Sequence, residues 1–299
     1  MSDMITRAET YLWRSGRVLE QHHFAFHFRD GGAAAVVTAL EAYRAADGGY
    51  AYGMEPDVRG PESQPATLRS ALDVLDDVGR LGRAAATPLL DWLTTITAPD
   101  GGIPAVLPSL RNHPRPPWLP IPDEPAGMLL PTANVVGHMV RNGVTHPWLG
   151  PAEDFCRRAV EGLHETHPYE IEAAVTYLDG VHDRDLVVEA GTRLGRLTRD
   201  LNLVALDPAH PDRATLAPGY APGEYHFAHD YAPTPDSVAA AWFGADEMAA
   251  SLDALAAGQL DDGGWPIGWA RWSPTTEMEA RPGATVRALR ILKAWGRLD

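Results

Sequence analysis

The sequence contains a single cysteine, Cys156, among its 299 residues. One thiol excludes an internal disulfide framework and a cysteine-rich zinc site, and we expect this thiol to be buried on a helix over 150–164. No apolar run reaches the roughly 18 residues that indicate a membrane-spanning helix, and the charged start of the chain lacks the apolar core of a signal peptide. These absences favour a cytoplasmic protein without an integral membrane segment.

Positively charged residues are also scarce. The chain has 25 lysines and arginines against 40 aspartates and glutamates, which gives a formal net charge of −15. Because such a surface repels a phosphate backbone, we predict that the protein does not bind nucleic acid. The sequence lacks a glycine-rich phosphate loop, a nucleophile elbow and a dinucleotide fingerprint, and we predict no cofactor.

No segment shows the alternation of apolar and polar residues that is typical of a strand. Apolar residues recur instead at helical spacing, and a 45% apolar content with nine tryptophans supplies an ample core. The sequence therefore predicts an all-α protein. The predicted helices cover 5–20, 32–45, 64–79, 83–97, 131–142, 150–164, 168–180, 183–199, 235–243, 245–258 and 282–296.

One unit recurs along the chain, a helix that runs into an Asp-Gly-Gly turn. Asp47, Asp100 and Asp262 each begin such a turn, and glycine can adopt the positive φ that a sharp helix exit requires. The aspartates are separated by 100 − 47 = 53 and 262 − 100 = 162 residues, and 162 is three times 54. We therefore expect two unmarked repeats, near Glu153-Asp154 and Asp207-Pro208.

Repeated helical hairpins either stack as an open solenoid or close into a ring. The last predicted helix is apolar on nearly all sides, which suits the inner layer of a closed ring, and eleven helices are one short of two rings of six. We predict a single domain over 1–299, an α/α toroid close to an (α/α)6 barrel. Two long segments, 104–131 and 207–235, are predicted to cap the mouth of its cavity.

The stretch Gln259-x-x-Asp262-Gly-Gly-Trp265, with weaker copies at 47–50 and 100–103, resembles the Q-W type repeats of the terpenoid cyclase and protein prenyltransferase toroids, which include squalene-hopene cyclase. The resemblance implies the toroid fold and repeats that brace helix ends. It also implies a terpenoid cyclase-like enzyme that cyclises or isomerises a small hydrophobic, isoprenoid substrate in a central cavity, with the proton supplied by a rim carboxylic acid.

The sequence departs from this family at two places. Class II terpene cyclases use an Asp-x-Asp-Asp motif, whose nearest match here is Asp73-Val-Leu-Asp76-Asp77, with a different spacing and inside a periodic helix. Protein prenyltransferases bind zinc through an Asp, Cys and His set, and Cys156 lies in no such setting. These departures leave the identity of the proton donor open and argue against prenyl transfer.

If the inner helices are parallel, the loops before them and their N-termini meet at one mouth of the ring, where free N–H groups favour acidic or anionic groups. The same reasoning places Tyr169, Glu172 and His138 there. Acids beside apolar walls can hold a proton for general acid catalysis. The predicted catalytic residues are Asp57, Glu55, Glu279, His226 and Asp230. The predicted substrate-binding residues are Tyr50, Tyr52, Arg59, Gln64, Trp118, Tyr225, Trp269 and Glu277.

Other interpretations of these residues stay open. The acids and arginines also suit structural braces at helix ends, acid pairs with aromatic platforms suit a carbohydrate-active enzyme, and a cavity filled by its own side chains suits a binding or scaffold protein. His23 and His27 have the spacing of two metal ligands on one helix face, and the segment around His226 could bind a metal together with His113 or Glu55. We favour aromatic packing for the segment of His23 and His27 and predict no metal site.

Overall fold

The computed structural model of the protein describes residues 3–298. It is all-helical, with 56% helix and no strand within that range. None of the helices there combines the length and apolar composition that crossing a bilayer requires. The α-helices are α1 (Asp3–Ser15), α2 (Val18–Phe28), α3 (Ala33–Glu41), α4 (Leu68–Asp77), α5 (Arg83–Ile96), α6 (Leu129–Arg141), α7 (Leu149–Glu161), α8 (Pro168–Gly180), α9 (Arg184–Asp200), α10 (Ala228–Tyr231), α11 (Ala245–Ala257) and α12 (Pro274–Ala294).

Most predicted helices are present, and the differences have local causes. The predicted helix 5–20 is two helices, because Arg17 is extended and precedes α2 as its N-cap. α12 begins eight residues before Pro282, since the Ser273 side chain caps it by accepting from the Thr276 N–H. The predicted helix 235–243 is a short 3₁₀ helix, Val238–Trp242.

The expected unmarked repeats differ from each other. Glu153 and Asp154 lie inside α7, so no turn interrupts the chain there. Asp207 does form a turn, because its carboxylate accepts a hydrogen bond from the Ala209 N–H at 3.1 Å. Cys156 is buried in α7, and burial raises the pKa of its thiol.

The chain divides into two compact units. Unit 1 comprises Met1–Gly32, Glu165–Val175 and Val188–Asp299, and unit 2 comprises Ala33–His164 and Thr176–Val187. The single domain over 1–299 and the capping role of 104–131 and 207–235 stay predictions.

Unit 2 is built around α6, which packs against α4 and α7. The backbone of α6 also approaches residues 176–180 closely at Gly137. A Cβ added to Gly137 would lie 2.2 Å from the Thr176 carbonyl oxygen, and one added to Gly180 would lie 2.1 Å from the Gly137 carbonyl oxygen. Only glycine permits this approach, because real Cβ atoms essentially never come that near.

Unit 1 is built around α12, which packs against α1, α2 and α11. Its residues Val286, Leu289 and Leu292 are buried, so the helix is surrounded by apolar neighbours as its sequence indicates. At the turn before it, the Trp265 indole N–H donates to the Leu255 carbonyl at 2.7 Å.

The three Asp-Gly-Gly turns have one geometry. The first glycine of each has a positive φ, 96° or 95°, and the aspartate carboxylate accepts from the second glycine's N–H at 3.0 Å in all three. The residue that follows each turn is buried. These residues are Tyr50, Ile103 and Trp265.

A buried threonine on the next helical segment anchors each turn. Thr132 accepts from the Ile103 N–H at 2.9 Å, and Thr285 accepts from the Trp265 N–H at 3.0 Å. At the first turn the direction is reversed, since the Thr67 hydroxyl donates to the Tyr50 carbonyl at 3.0 Å. Each turn is therefore hydrogen-bonded to a residue of a later helical segment.

Candidate functional site

Two of the predicted binding residues in unit 2 are internal. Tyr50 is fully buried, and its hydroxyl accepts from Arg44 Nη2 at 2.8 Å; burial raises the pKa of Tyr50 to about 12. Gln64 is 1% exposed. Its side chain accepts from the Leu107 N–H at 2.7 Å and donates to Ser109 at 2.8 Å. Gln64 therefore connects the proline-rich segment 104–131 to the start of the 3₁₀ helix Pro65–Thr67.

The other predicted residues of unit 2 lie nearer the surface. Tyr52 and Trp118 are each 53% exposed. In the segment 104–131, Leu119 and Ile121 pack against a small apolar cluster of Val58, Val106 and Leu110. Glu55, Asp57 and Arg59 are half-buried, and Glu55 accepts a long bond of 3.4 Å from the Ser70 hydroxyl.

In unit 1, four predicted residues flank the start of α12 or precede α10. Glu277, in the first turn of α12, pairs with Arg271 at 2.5 Å. Glu279 lies further along the same helix and is half-buried, as are Trp269 and Tyr225. The catalytic and binding roles predicted for all these residues stay predictions.

The structure brings a second group of predicted residues of unit 1 together around His226. His226 Nδ1 lies 2.7 Å from Oε1 of Glu172, and both side chains are buried. Arg287 Nη2 lies 4.0 Å from Glu172 and 3.5 Å from Asp230. The Glu172 carboxylate, at the start of α8, therefore orients the imidazole and offsets its charge.

Tyrosine rings surround this pair. The Tyr169 ring stands edge-on to His226 at 4.6 Å between centroids, and Tyr220 and Tyr231 follow at 5.8 and 6.2 Å. The Tyr169 hydroxyl donates to Glu224 at 2.9 Å. Burial raises the pKa of Tyr169, and the negative charge of Glu224 adds to the effect.

Opposing effects act on His226. Burial lowers its pKa, but the hydrogen bond and charge of Glu172, with the charge of Asp230, outweigh burial, so the pKa of His226 is raised. The neighbouring His229 Nδ1 faces the Ser251 hydroxyl at 2.7 Å, and its Nε2 lies 3.9 Å from Asp230 Oδ2; burial outweighs the charge of Asp230, so the pKa of His229 is lowered. His226 therefore favours the charged form and His229 the neutral form.

Unit 2 contains a further carboxylate–imidazole pair, between α4 and α6. His138 Nε2 lies 3.0 Å from Asp73 Oδ1, and Nδ1 lies 2.7 Å from the Asn134 carbonyl oxygen. The His138 side chain is 3% exposed and that of Asp73 is 45% exposed. Asp73 belongs to the sequence that is nearest to the cyclase acid motif.

The contact with Asn134 fixes the orientation of the His138 ring. A carbonyl oxygen only accepts, so Nδ1 of His138 carries a hydrogen and Nε2 faces the Asp73 carboxyl group.

The remaining acids of this motif are placed differently. Asp76 accepts from Asn142 at 2.7 Å and pairs closely with Arg141, so it braces α4 against the end of α6. Asp77 is half-buried at the end of α4. Asp73 is the acid of this motif that contacts His138.

An open groove of about 550 Å³ lies on the surface of unit 2. Its lining comes from α3, from the turn after α4 and from the first residues of α5, and it includes none of the predicted site residues. The groove is lined by Ala34, Val37, Thr38, Arg80, Gly82, Arg83, Ala84 and Ala85.

No protein-family model and no curated protein sequence matches the chain. Solved structures do match it. A crystal structure of a protein from Actinoplanes superposes with a TM-score of 0.58 at 17% identity, covering 98% of this chain and 90% of that one.

Two structures of variants of MstE, a type II terpene cyclase from Scytonema, are also similar. The complex with the product merosterolic acid A has a TM-score of 0.51 at 15% identity and covers 97% of this chain and 87% of that one. The complex with the substrate geranylgeranyl dihydroxybenzoate has a TM-score of 0.50 at 13% identity, with 99% and 88% covered. These matches confirm the predicted fold class, an all-α α/α toroid.

Sequence reasoning does not identify the Glu172–His226 pair of unit 1 or the Asp73–His138 pair of unit 2. It places Glu172 and His138 near the mouth without a catalytic role, and Asp73 only in its motif. The signal that could have found them is chemical: Glu172 and His138 are titratable residues among the buried apolar residues of α8 and α6.

Proposed function

We propose that the protein is a terpenoid cyclase-like enzyme that protonates a hydrophobic, isoprenoid substrate and so cyclises or isomerises it. The observation that carries the proposal is the Asp73–His138 pair, in which the imidazole is positioned to stabilise the carboxylate. The fold match supports the same class of enzyme. Asp73 is the proton donor in this proposal, and His138 is a positioning residue.

In the proposed step, the protonated carboxyl group of Asp73 transfers its proton to a substrate double bond. The π electrons form the new C–H bond, and a cation is left on the neighbouring carbon. Loss of a proton from an adjacent carbon to water ends the reaction. The carboxylate that remains on Asp73 lies 3.0 Å from His138 Nε2, a contact that favours the transfer.

The surroundings of Asp73 suit repeated proton delivery. Arg69 Nε lies 4.0 Å from Asp73 Oδ2 and adds a second positive charge beside the carboxylate that forms. The side chain of Asp73 is 45% exposed, so water can return the proton after each turnover.

The substrate class comes from the similar structures. The MstE substrate named above carries a geranylgeranyl group, so we begin with linear isoprenoids as substrates of this chain. The rim acids Glu55, Asp57 and Glu279 remain the alternative proton donors, and substitution separates them from Asp73.

The test compares Asp73→Asn with Asp76→Asn, a matched change in the same helix that removes a structural brace instead of the imidazole contact. Purified proteins are incubated with a panel of linear isoprenoids, beginning with geranylgeranyl dihydroxybenzoate, and products are identified by liquid chromatography and mass spectrometry. We expect a cyclised or isomerised product from the natural protein and from Asp76→Asn. General acid catalysis contributes about 10²–10⁴-fold, so Asp73→Asn should lose at least about 100-fold.

The proposal fails if the natural protein converts no isoprenoid in the panel. Turnover of glycans in a parallel panel would favour the carbohydrate-active alternative. Full activity of Asp73→Asn together with loss of activity in Asp57→Asn or Glu279→Gln would keep the reaction but move the proton donor to the rim. Circular dichroism of each variant checks that a loss of activity is not caused by a loss of folded structure.

A further inference from the structure

Helix α2 presents two imidazoles to one point. His23 and His27 lie four residues apart, so they share a face of the helix. Their Nε2 atoms are 3.2 Å apart, with ring centroids at 4.9 Å and planes inclined by 53°. His23 is buried, and the rings of Phe24 and Phe28 pack one turn apart on the same helix at 5.2 Å.

This distance matches the bite of a tetrahedral metal ion. Zinc–imidazole bonds of about 2.0–2.1 Å that meet at the tetrahedral angle place two ligand nitrogens about 3.3 Å apart. The side chains already have this separation, so binding costs little reorganisation. We propose that His23 and His27 form a two-imidazole chelate on α2 for a divalent transition-metal ion such as Zn²⁺. Water or other ligands complete the coordination.

Two basic side chains lie near His27. Arg290 and Lys293 repel a dication. This repulsion is reduced because the Lys293 ammonium donates to the His27 carbonyl at 2.8 Å, at the negative end of the helix.

A hydrogen bond between the two imidazoles is the alternative at this distance, and it requires no metal. The sequence favoured aromatic packing for this segment. The short distance between the two Nε2 atoms is the observation that favours a metal site in this segment. The proposal does not depend on the proposed enzyme activity.

The experiment uses the full chain, treated with a chelator and then dialysed, and titrates it calorimetrically with Zn²⁺ alone. The variants are His27→Gln and, as the matched control, His22→Gln, which changes the histidine beside His23 that does not take part in the pair. We expect one Zn²⁺ per chain for the natural protein and for His22→Gln. His27→Gln should bind at least tenfold more weakly.

A second measurement keeps the test valid if a variant is unstable. Zn²⁺ should raise the thermal midpoint of the natural protein in a concentration-dependent way, because a ligand that binds the folded state stabilises it. The proposal is overturned if the natural protein binds no Zn²⁺ at about millimolar concentration, or if His22→Gln loses as much affinity as His27→Gln.

Discussion

Thr285→Val should destabilise the protein through one buried hydrogen bond. Thr285 is fully buried, and its hydroxyl accepts from the Trp265 N–H at 3.0 Å. Valine has nearly the same shape, so the change opens no cavity, but it leaves a buried backbone donor unpaired. An unpaired buried donor costs about 1–3 kcal/mol. A loss near the middle of that range lowers the ratio of folded to unfolded protein by about 30-fold.

The hydroxyl of Thr285 also donates to the Arg281 carbonyl at 2.8 Å, and this bond supplies the control. Thr38 makes the same bond to a carbonyl four residues back, at 2.9 Å, but it is exposed. Thr38→Val should therefore change the free energy of unfolding by less than about 0.5 kcal/mol.

Equilibrium urea unfolding, followed by tryptophan fluorescence, measures both variants. The midpoint should fall for Thr285→Val with an unchanged slope. If the free energy of unfolding of Thr285→Val lies within about 0.5 kcal/mol of that of the natural protein, the hydrogen bond of Thr285 does not stabilise the turn and the reasoning is refuted. The same substitution at Thr132, which accepts the Ile103 N–H, should repeat the effect.

Two further changes test the packing of unit 2 and the titration of unit 1. Gly137→Ala should lower the free energy of unfolding by about 3 kcal/mol or more, because its Cβ would meet the Thr176 backbone at 2.2 Å; Gly150→Ala, which meets nothing within 4 Å, should change it little. Glu172→Gln removes the acid that raises the pKa of His226. A histidine whose pKa is raised in the folded state stabilises the fold at pH values below its unfolded pKa of 6.5, and this contribution is lost as the pH rises through the folded pKa. The urea midpoints of Glu172→Gln and the natural protein should therefore differ more at about pH 5.5 than at about pH 9.

The turns were predictable because their bonds are local. The Asp-Gly-Gly carboxylate bonds span two residues, and the positive φ at the first glycine depends on the absence of a side chain there. The helices that lead into these turns follow from apolar spacing alone. Nothing distant needs to be known to place Asp47, Asp100 or Asp262.

Helix boundaries were less predictable, since neighbouring signals compete. Pro282 suits the first turn of a helix, but Ser273 caps the chain earlier and the proline lies inside α12. Similarly, apolar residues continue across Gly16, yet the extended Arg17 separates α1 from α2. A periodic pattern indicates that a helix exists, but the capping residues determine where the helix begins and ends.

The candidate site was predictable in its residue types and not in its pairs. The amino-acid sequence by itself determined the helices, the repeated turns and the set of acids, histidines and tyrosines near helix ends, because short-range spacing and backbone chemistry control these. Only the tertiary structure decided that His226 meets Glu172 across 54 residues, and that His138 meets Asp73. Such contacts depend on the register in which helices pack, and that register is set by the summed fit of many apolar side chains rather than by any local motif.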